Sequence, residues 1–358
     1  MYRENNRKTR LRVAVGPVID EYGGAPQHIL AFKKYSAHQV DVIPSVFLRK
    51  WVIRRNTQRI RFYSQFLSKI GLNNYDIIHS HVEPWFIDLC HSLRSMKRKW
   101  VHTYHSLYFD EDYPGGLQQW QRDFSRALLE TASQADAKIS VSQWLHDHLH
   151  ERNGIETSMI PNGVDMELCD RARPEGFIKK YGIKDFILFT GGLRPIKDPR
   201  AFVELAGRVP GYPFLMIGKG VNAKAIMAAY GLKSPRNLFF IEEMDRRSAL
   251  DAISACRVLV MTSKKEGFPT VLLEAMAMRK PVVAPDHSGC KEIILSREYG
   301  FLYKPDYPGD LDDKVREAYD SSSVGDKARQ RVLEFYDWKV IARKTDALYE
   351  SVFYGAKQ

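Results

Sequence analysis

Cysteine is scarce in this chain of 358 residues: Cys90, Cys169, Cys256 and Cys290 stand far apart, and no two form a CxxC pair. That argues against zinc-ribbon and disulfide-framework folds and fits a reducing cytosol. No run approaches the ~18–20 apolar residues that a spanning helix needs. The first apolar stretch, Leu11 to Ile19, contains Arg12 and Pro17 and reads as a buried strand, not as a signal peptide. Acids are the minority charge, 43 Asp and Glu against 54 Lys and Arg, for a formal net charge of +11 and a pI near 9.3. Such a chain attracts anions at long range without specifying nucleotide, nucleic acid or membrane. Helix-turn-helix, zinc-finger and RNA-recognition patterns are missing, which turns the reading away from nucleic acid.

What is present is a 44% apolar chain long enough for two cores. Short apolar runs at Leu11–Val15, Gln39–Ile43, Asp76–His79, Trp100–Thr103 and Lys138–Ser142 alternate with helical stretches such as Arg59–Lys69 and Leu117–Ser133. Such alternation predicts an α/β fold with a parallel, doubly wound sheet. After the turn Pro161-Asn162-Gly163-Val164-Asp165 the pattern restarts, with strands at Asp185–Thr190, Phe214–Ile217, Leu238–Ile241, Val258–Met261 and Pro281–Ala284. The expected units are residues 1–168 and 169–334, each Rossmann-like, and a tail 335–358 whose apolar face (Trp338, Ile341, Ala342, Leu348, Val352) needs a surface to cover. Ligands of open parallel sheets bind at the carboxyl ends of strands, so the site belongs in the cleft between the two sheets. The basic segment Arg49 to Arg61, interleaved with Trp51, Val52 and Ile53, reads as a solvated helix face or as a surface for an anionic membrane.

The chemistry concentrates in Lys265-Glu266-Gly267-Phe268-Pro269-Thr270-Val271-Leu272-Leu273-Glu274-Ala275. Pro269 suits a first helical position, which leaves the N–H groups of Thr270 and Val271 facing a phosphate. Glu266 before the helix can accept from sugar hydroxyls, and Glu274, a turn and a half inside it, from the vicinal diol of a ribose. Taken alone, both glutamates also suit the positive end of a helix dipole.

The full string resembles the signature of the retaining GT-B glycosyltransferases known as group 1 or family four, whose fold is two facing Rossmann-like domains around a cleft. Other segments resemble that family in order along nearly the whole chain. Tyr22-Gly23-Gly24-Ala25 matches its glycine loop, whose backbone approaches the donor phosphate or the acceptor, and His105 matches its histidine at the donor sugar. Ser288-Gly289-Cys290-Lys291-Glu292 matches a later glycine turn with Ser288 in place of the first glycine, and the Trp338 helix matches one that returns to the first domain. Two departures stand out. In Gly191-Gly192-Leu193-Arg194-Pro195-Ile196-Lys197, Gly192 occupies the place of the family's phosphate-binding arginine, leaving Lys197 and the displaced Arg194 as the cations. In Phe240-Ile241-Glu242-Glu243, where the family binds the base, Glu242 lies near a usual glycine.

The resemblance implies transfer of a hexose-type sugar, with retention and without a metal or other cofactor, from a UDP- or GDP-sugar. The acceptor is a hydroxyl of a saccharide, a lipid-linked saccharide or a small molecule. Glu266, His105, Lys197 and Arg194 would carry the reaction. Gly23, Gly24, Gly267, Phe268, Pro269, Thr270, Val271, Glu274, Ile241 and Glu242 would hold the nucleotide sugar. A cytoplasmic enzyme, peripheral on the membrane if Arg49–Arg61 docks there, is expected. An epimerase on the same scaffold and a non-catalytic nucleotide-sugar binder remain open. Asp110-Glu111-Asp112 has the acid spacing of a manganese site but follows His105 in a loop and not in a single-domain context, and His146, His148 and His150 read as a solvated helix in which the first and third share a face.

Overall fold

Consecutive apolar residues in the short strands leave no face for water, and in the structure both faces are covered. The computed structural model describes residues 10–18, 24–44, 74–95, 97–108, 110, 113, 115–321 and 324–355. The first half contains β1 (Arg12–Val18), α1 (Gly24–Tyr35), β2 (Gln39–Pro44), β3 (Ile77–Ser80), α2 (Pro84–Leu93), β4 (Lys99–Tyr104), α3 (Gln119–Arg126), β5 (Ala137–Ser140), α4 (Gln143–Asn153) and β6 (Ser158–Met159). After α5 (Met166–Asp170) and α6 (Pro174–Tyr181) come β7 (Ile187–Thr190), α7 (Pro199–Arg208), β8 (Phe214–Ile217), α8 (Ala223–Tyr230), β9 (Leu238–Ile241), α9 (Arg246–Ala255) and β10 (Val258–Val260). The chain continues through α10 (Thr270–Ala277), β11 (Val282–Pro285), α11 (Ser288–Ile293), β12 (Phe301–Tyr303), α12 (Asp310–Asp320), α13 (Val324–Phe335) and α14 (Trp338–Tyr354).

Both sheets are six-stranded, with orders β2-β1-β3-β4-β5-β6 and β12-β11-β10-β7-β8-β9, and neighbouring strands in both run parallel. Each order reverses once, between β1 and β3 and between β7 and β10. At such a switch point neighbouring crossovers leave on opposite faces and open a crevice. The loops after β1, β3, β7 and β10 therefore flank the natural ligand positions.

The strands fall where the apolar runs placed them, with β6 and β12 added. Two local expectations change. The helix expected over Leu117–Ser133 ends at Arg126 and continues as a π turn (Ala127–Thr131) and a 3-10 turn (Ala132–Gln134). There the Leu128 carbonyl accepts from the Tyr104 hydroxyl at 3.0 Å, a contact the sequence pattern does not reveal. Pro269 is not the first helical residue: its ψ of 106° is extended, so it caps α10 and Thr270 opens the helix. The segment Arg49–Arg61, the stretch Arg59–Lys69, and Glu111 and Asp112 lie outside the described residues. Asp110 is solvent-exposed, 3.7 Å from Arg122. His146 and His150 stack at 6.2 Å on one helix face, as their spacing requires.

Helix α14 crosses back to the first sheet, burying Trp338, Ile341, Ala342 and Tyr349 against Leu11, Val13, Val15, Ile29 and Phe32. At the crossing, Val164 N–H donates to the Tyr336 carbonyl (2.8 Å) and Trp338 N–H to the Val164 carbonyl (3.1 Å). Deeper along α14, the Tyr349 hydroxyl meets His79 Nδ1 at 2.5 Å, and His79 Nε2 meets Thr103 Oγ1 at 2.8 Å. Tyr349→Phe leaves one side of a buried imidazole unpaired. It should lower stability by about 1–3 kcal/mol in urea unfolding, and an unchanged midpoint would show that this bond carries no net stabilisation.

Candidate functional site

Loops at the carboxyl ends of the strands of the two sheets meet backbone to backbone. A Cβ on Gly267 would lie 2.0 Å from the His105 carbonyl oxygen, and one on Gly289 would lie 2.1 Å from the Gly267 carbonyl oxygen. Only glycine permits three chain segments to stack this closely. Ser288, standing where a glycine was expected, adopts φ +46°, and its Oγ accepts from the Glu266 N–H at 3.2 Å. Glu292, on the same short helix, reaches the other half of the molecule. Its carboxylate accepts from the Gln143 and Trp144 N–H groups, each at 2.7 Å, at the positive end of α4.

The cleft divides into two cavities around the start of α10. One of about 240 Å³ is bordered by Gly24, Gln27, His28 and Lys34 of α1, by Trp338, and by Arg246, Thr270 and Glu274 opposite. The other, about 120 Å³, lies between Ser106, Tyr108, Tyr113 and Trp144 on one side and Arg194, Lys197, Lys265, Glu266 and Gly267 on the other. The two glutamates thus face different cavities. Each is held by a cation: Lys197 Nζ bonds Glu266 Oε1, and the Arg246 guanidinium bonds Glu274 Oε1. Between them α10 presents its first N–H groups, which have no acceptor a turn earlier.

The other predicted residues are distributed less simply. Gly24 opens α1 and borders the larger cavity, whereas Gly23 lies outside the described residues. Arg194 is exposed and shares the smaller cavity with Lys197 and Glu266. Phe268 turns its ring into the core, 5.4 Å from the Tyr336 ring, so only its backbone faces the cleft region. The Val271 side chain likewise packs on that core, and Pro269 is buried. Ile241 ends β9, and Glu242 is exposed and accepts from Asn222 Nδ2 at 2.9 Å; neither borders the two cavities. Gly192 leaves space: a Cβ there would meet only the Lys219 carbonyl oxygen, at 3.6 Å.

His105 belongs to a cluster. Its Nε2 is 2.9 Å from His81 Nδ1 and the rings stack; His28 stands edge-on to both, and His79 stacks on His81 at 4.4 Å. His28 is tied down by Asn162, whose Oδ1 lies 3.0 Å from His28 Nδ1 and whose Nδ2 donates to the Phe268 carbonyl at 2.9 Å. Asn162 is thereby a buried bridge from α1 to the loop that begins α10. Burial pushes the His28 imidazole down to about 4 and His102 to about 3, and holds His79, His81 and His105 well below the ordinary range, helped by repulsion within the cluster. These rings are neutral and can position neighbours without carrying charge.

The sequence matches two family descriptions in tandem, Glycosyltransferase Family 4 over residues 18–168 and Glycosyl transferases group 1 over residues 174–335. The chain belongs to the group 1 glycosyltransferases. An uncharacterized glycosyltransferase of Methanocaldococcus jannaschii is 28% identical over 224 residues, a match spanning 61% of this chain and 60% of that protein. A second from the same organism is 20% identical, with 96% of this chain and 99% of that protein covered. Among solved structures, sucrose-phosphate synthase from Thermosynechococcus elongatus superposes with TM-score 0.75 at 19% identity, covering 97% of this chain and all of the other (100%). The Anabaena protein HepE, in complex with UDP and glucose, superposes with TM-score 0.73 at 17% identity, covering 96% and 100% of the two chains. Both have the GT-B arrangement of two parallel sheets seen here.

Three site residues of this group 1 glycosyltransferase escape motif reading. Arg246 left one faint signal: an arginine in the first turn of α9 opposes the helix dipole, which calls for a compensating partner, and Glu274 is that partner. Asn162 reads as turn punctuation, and Gln27-His28 reads only as part of an acceptor-side region whose spacing carries no code; the bond between His28 and Asn162 is visible only once both halves are folded.

Two outcomes follow. The depressed histidines predict acid lability. An unfolded imidazole takes its proton near pH 6.5 while folded His28 waits until about 4, so below pH 6.5 the unfolded state binds more protons and stability falls with pH. Each such ring contributes up to about 1.4 kcal/mol per pH unit within its window. Urea midpoints at pH 7.5 and 5 test this; equal midpoints would contradict neutral buried rings. Asn162→Asp removes the donor to Phe268 and sets a carboxylate beside His28. Turnover should fall by about tenfold or more for a loss of ~1.4 kcal/mol. The His28 resonance should titrate well above pH 4 by NMR, because a nearby opposite charge favours imidazolium.

Proposed function

We propose that this chain transfers a hexose-type sugar from a nucleoside diphosphate sugar to an acceptor hydroxyl, with retention and without a metal ion. The observation that carries this reading is the placement of Glu266 and Glu274 on either side of the open N-terminus of α10, each with a cation on its carboxylate. Departure of the diphosphate from the anomeric carbon leaves positive charge on the sugar ring and negative charge on the leaving group. The Thr270 and Val271 N–H groups and Lys197, with Arg194 on the same cavity wall, are suited to the second charge.

Glu266 then accepts from sugar hydroxyls and Glu274 from the ribose diol, with His105 set by His81. No side chain is assigned as a covalent nucleophile, so the acceptor attacks from the face the diphosphate leaves. The HepE complex with UDP-glucose supports a nucleotide-sugar donor, with UDP the first base to try and GDP the second. The acceptor hydroxyl belongs to a saccharide, a lipid-linked saccharide or a small molecule. A lipid-linked acceptor would be met on the cytoplasmic face, where Arg49–Arg61 contributes positive charge. Among the described residues no helix is long and apolar enough to cross a membrane.

Glu266→Gln should reduce turnover by at least about a hundredfold, the scale of losing a contact made in the transition state, while binding of the bare nucleoside diphosphate is retained. Glu274→Ala should instead weaken the nucleotide itself, read by thermal shift with UDP and GDP. Full activity in both variants would overturn the assignment. Activity lost in EDTA and restored by manganese would overturn metal independence. Epimer formed from donor alone, without acceptor, would replace transfer by epimerisation.

A further inference from the structure

A third cavity, about 380 Å³ and larger than either half of the cleft, opens where β10, β11 and β12 end against α7 and α12. It shares no bordering residue with the other two. The acids on its wall are already engaged. Asp312 takes two bonds from Arg208, each 2.8 Å; Glu204 takes one from Arg200 at 2.8 Å; and Asp198 caps α7 through the Ala201 N–H. The bases are not. Among the described residues Lys264 and Lys304 make no ion pair, and the Lys304 ammonium rests 5.3 Å from the Tyr307 ring centre.

The interior is equally unbalanced. Ser263 and Tyr303 are 2% and 5% exposed, and both border the cavity. Neither hydroxyl has a protein partner among the described residues, and neither is sealed off from the cavity. An occupant that offers polar groups can therefore take the place of water at both. At the mouth, Tyr307 is 65% exposed between Pro305 and Pro308, a flat apolar edge of the kind that lies against a sugar ring. Free ammonium groups outside, free hydroxyls inside and an aromatic rim specify a small polyol carrying a strong anion, and the volume falls within the range of small-molecule sites.

We infer that this cavity is a second ligand site, for a phosphorylated monosaccharide, on the reverse of the loops that form the cleft. Hydrogen bonds connect its wall to the cleft loops. Thr262 Oγ1 donates toward the Lys197 and Asp198 carbonyls at 3.0 and 2.8 Å, and Ser288 Oγ lies between His287 Nδ1 (3.1 Å) and the Glu266 N–H. An occupant touching His287 or Ser263 therefore presses on the backbone that carries Lys197 and Glu266.

Isothermal titration with glucose 6-phosphate, glucose and inorganic phosphate, on the wild type and three sets of variants, tests the site. Glucose 6-phosphate should bind saturably and at least about tenfold more tightly than either glucose or phosphate, one tenfold step being worth 1.4 kcal/mol. Lys264→Ala with Lys304→Ala should weaken it by about tenfold or more; both lysines are exposed, so folding is spared. Ser263→Ala with Tyr303→Phe should erase the advantage of the ester over phosphate. Glu274→Ala, in the cleft, should leave the binding unchanged even if it abolishes nucleotide binding. No saturable binding to the wild type would leave water as the occupant and overturn the inference. Equal binding to the double-lysine variant, or phosphate as tight as the ester, would do the same by reducing the site to a plain anion patch. Loss of binding in Glu274→Ala would move the ligand to the cleft.

Discussion

The contact of Gly267 with the His105 carbonyl sets the distance between the two sheets, and the geometry of the cleft follows from that distance. A methyl group at 267 would hold the backbones apart by more than any side-chain rotation can restore. At the observed separation, Asn162 can span from His28 to Phe268 and Glu292 can reach the end of α4. These polar bridges are short and directional, so they add specificity to a closure whose distance the glycine already fixes.

The same closure gives the two glutamates their electrostatic character. Glu274 is almost wholly buried, and a carboxylate there without Arg246 would be a desolvated charge with no partner. The Glu266 side chain, beside Lys197, is more open than that of Glu274. Both pairs hold their carboxylates oriented before any ligand arrives, which is the condition for preorganised stabilisation of developing charge. In the proposed reaction a diphosphate donor would present oxygens to the cation and hydroxyls to the carboxylate, so each half of a pair would exchange one partner for another and no charge would be stranded.

Much of this was legible because parallel strands buried on both faces leave a strong signature: β7, β8 and β10 are continuous apolar runs and fell where expected. The α10 segment was legible for a different reason, since it needs particular residue types at fixed offsets for backbone and chemical reasons together. What stayed hidden depends on contacts between distant segments. Asn162 to Phe268 and Arg246 to Glu274 join positions 106 and 28 residues apart, and no local periodicity encodes either. Pro269 stands one residue before the position its sequence suggests, because a proline tolerates both the cap and the first turn. The π turn after α3 answers to Tyr104, on another strand.

Helix α14 covers β1 and α1, yet the ribosome makes it after the entire second sheet. Until then the apolar surface of Leu11, Val13, Ile29 and Phe32 lacks its lid, and His79 lacks the Tyr349 hydroxyl. The first half of the molecule therefore leaves the exit tunnel with a face prone to self-association, and its maturation is timed by the translation of the other half.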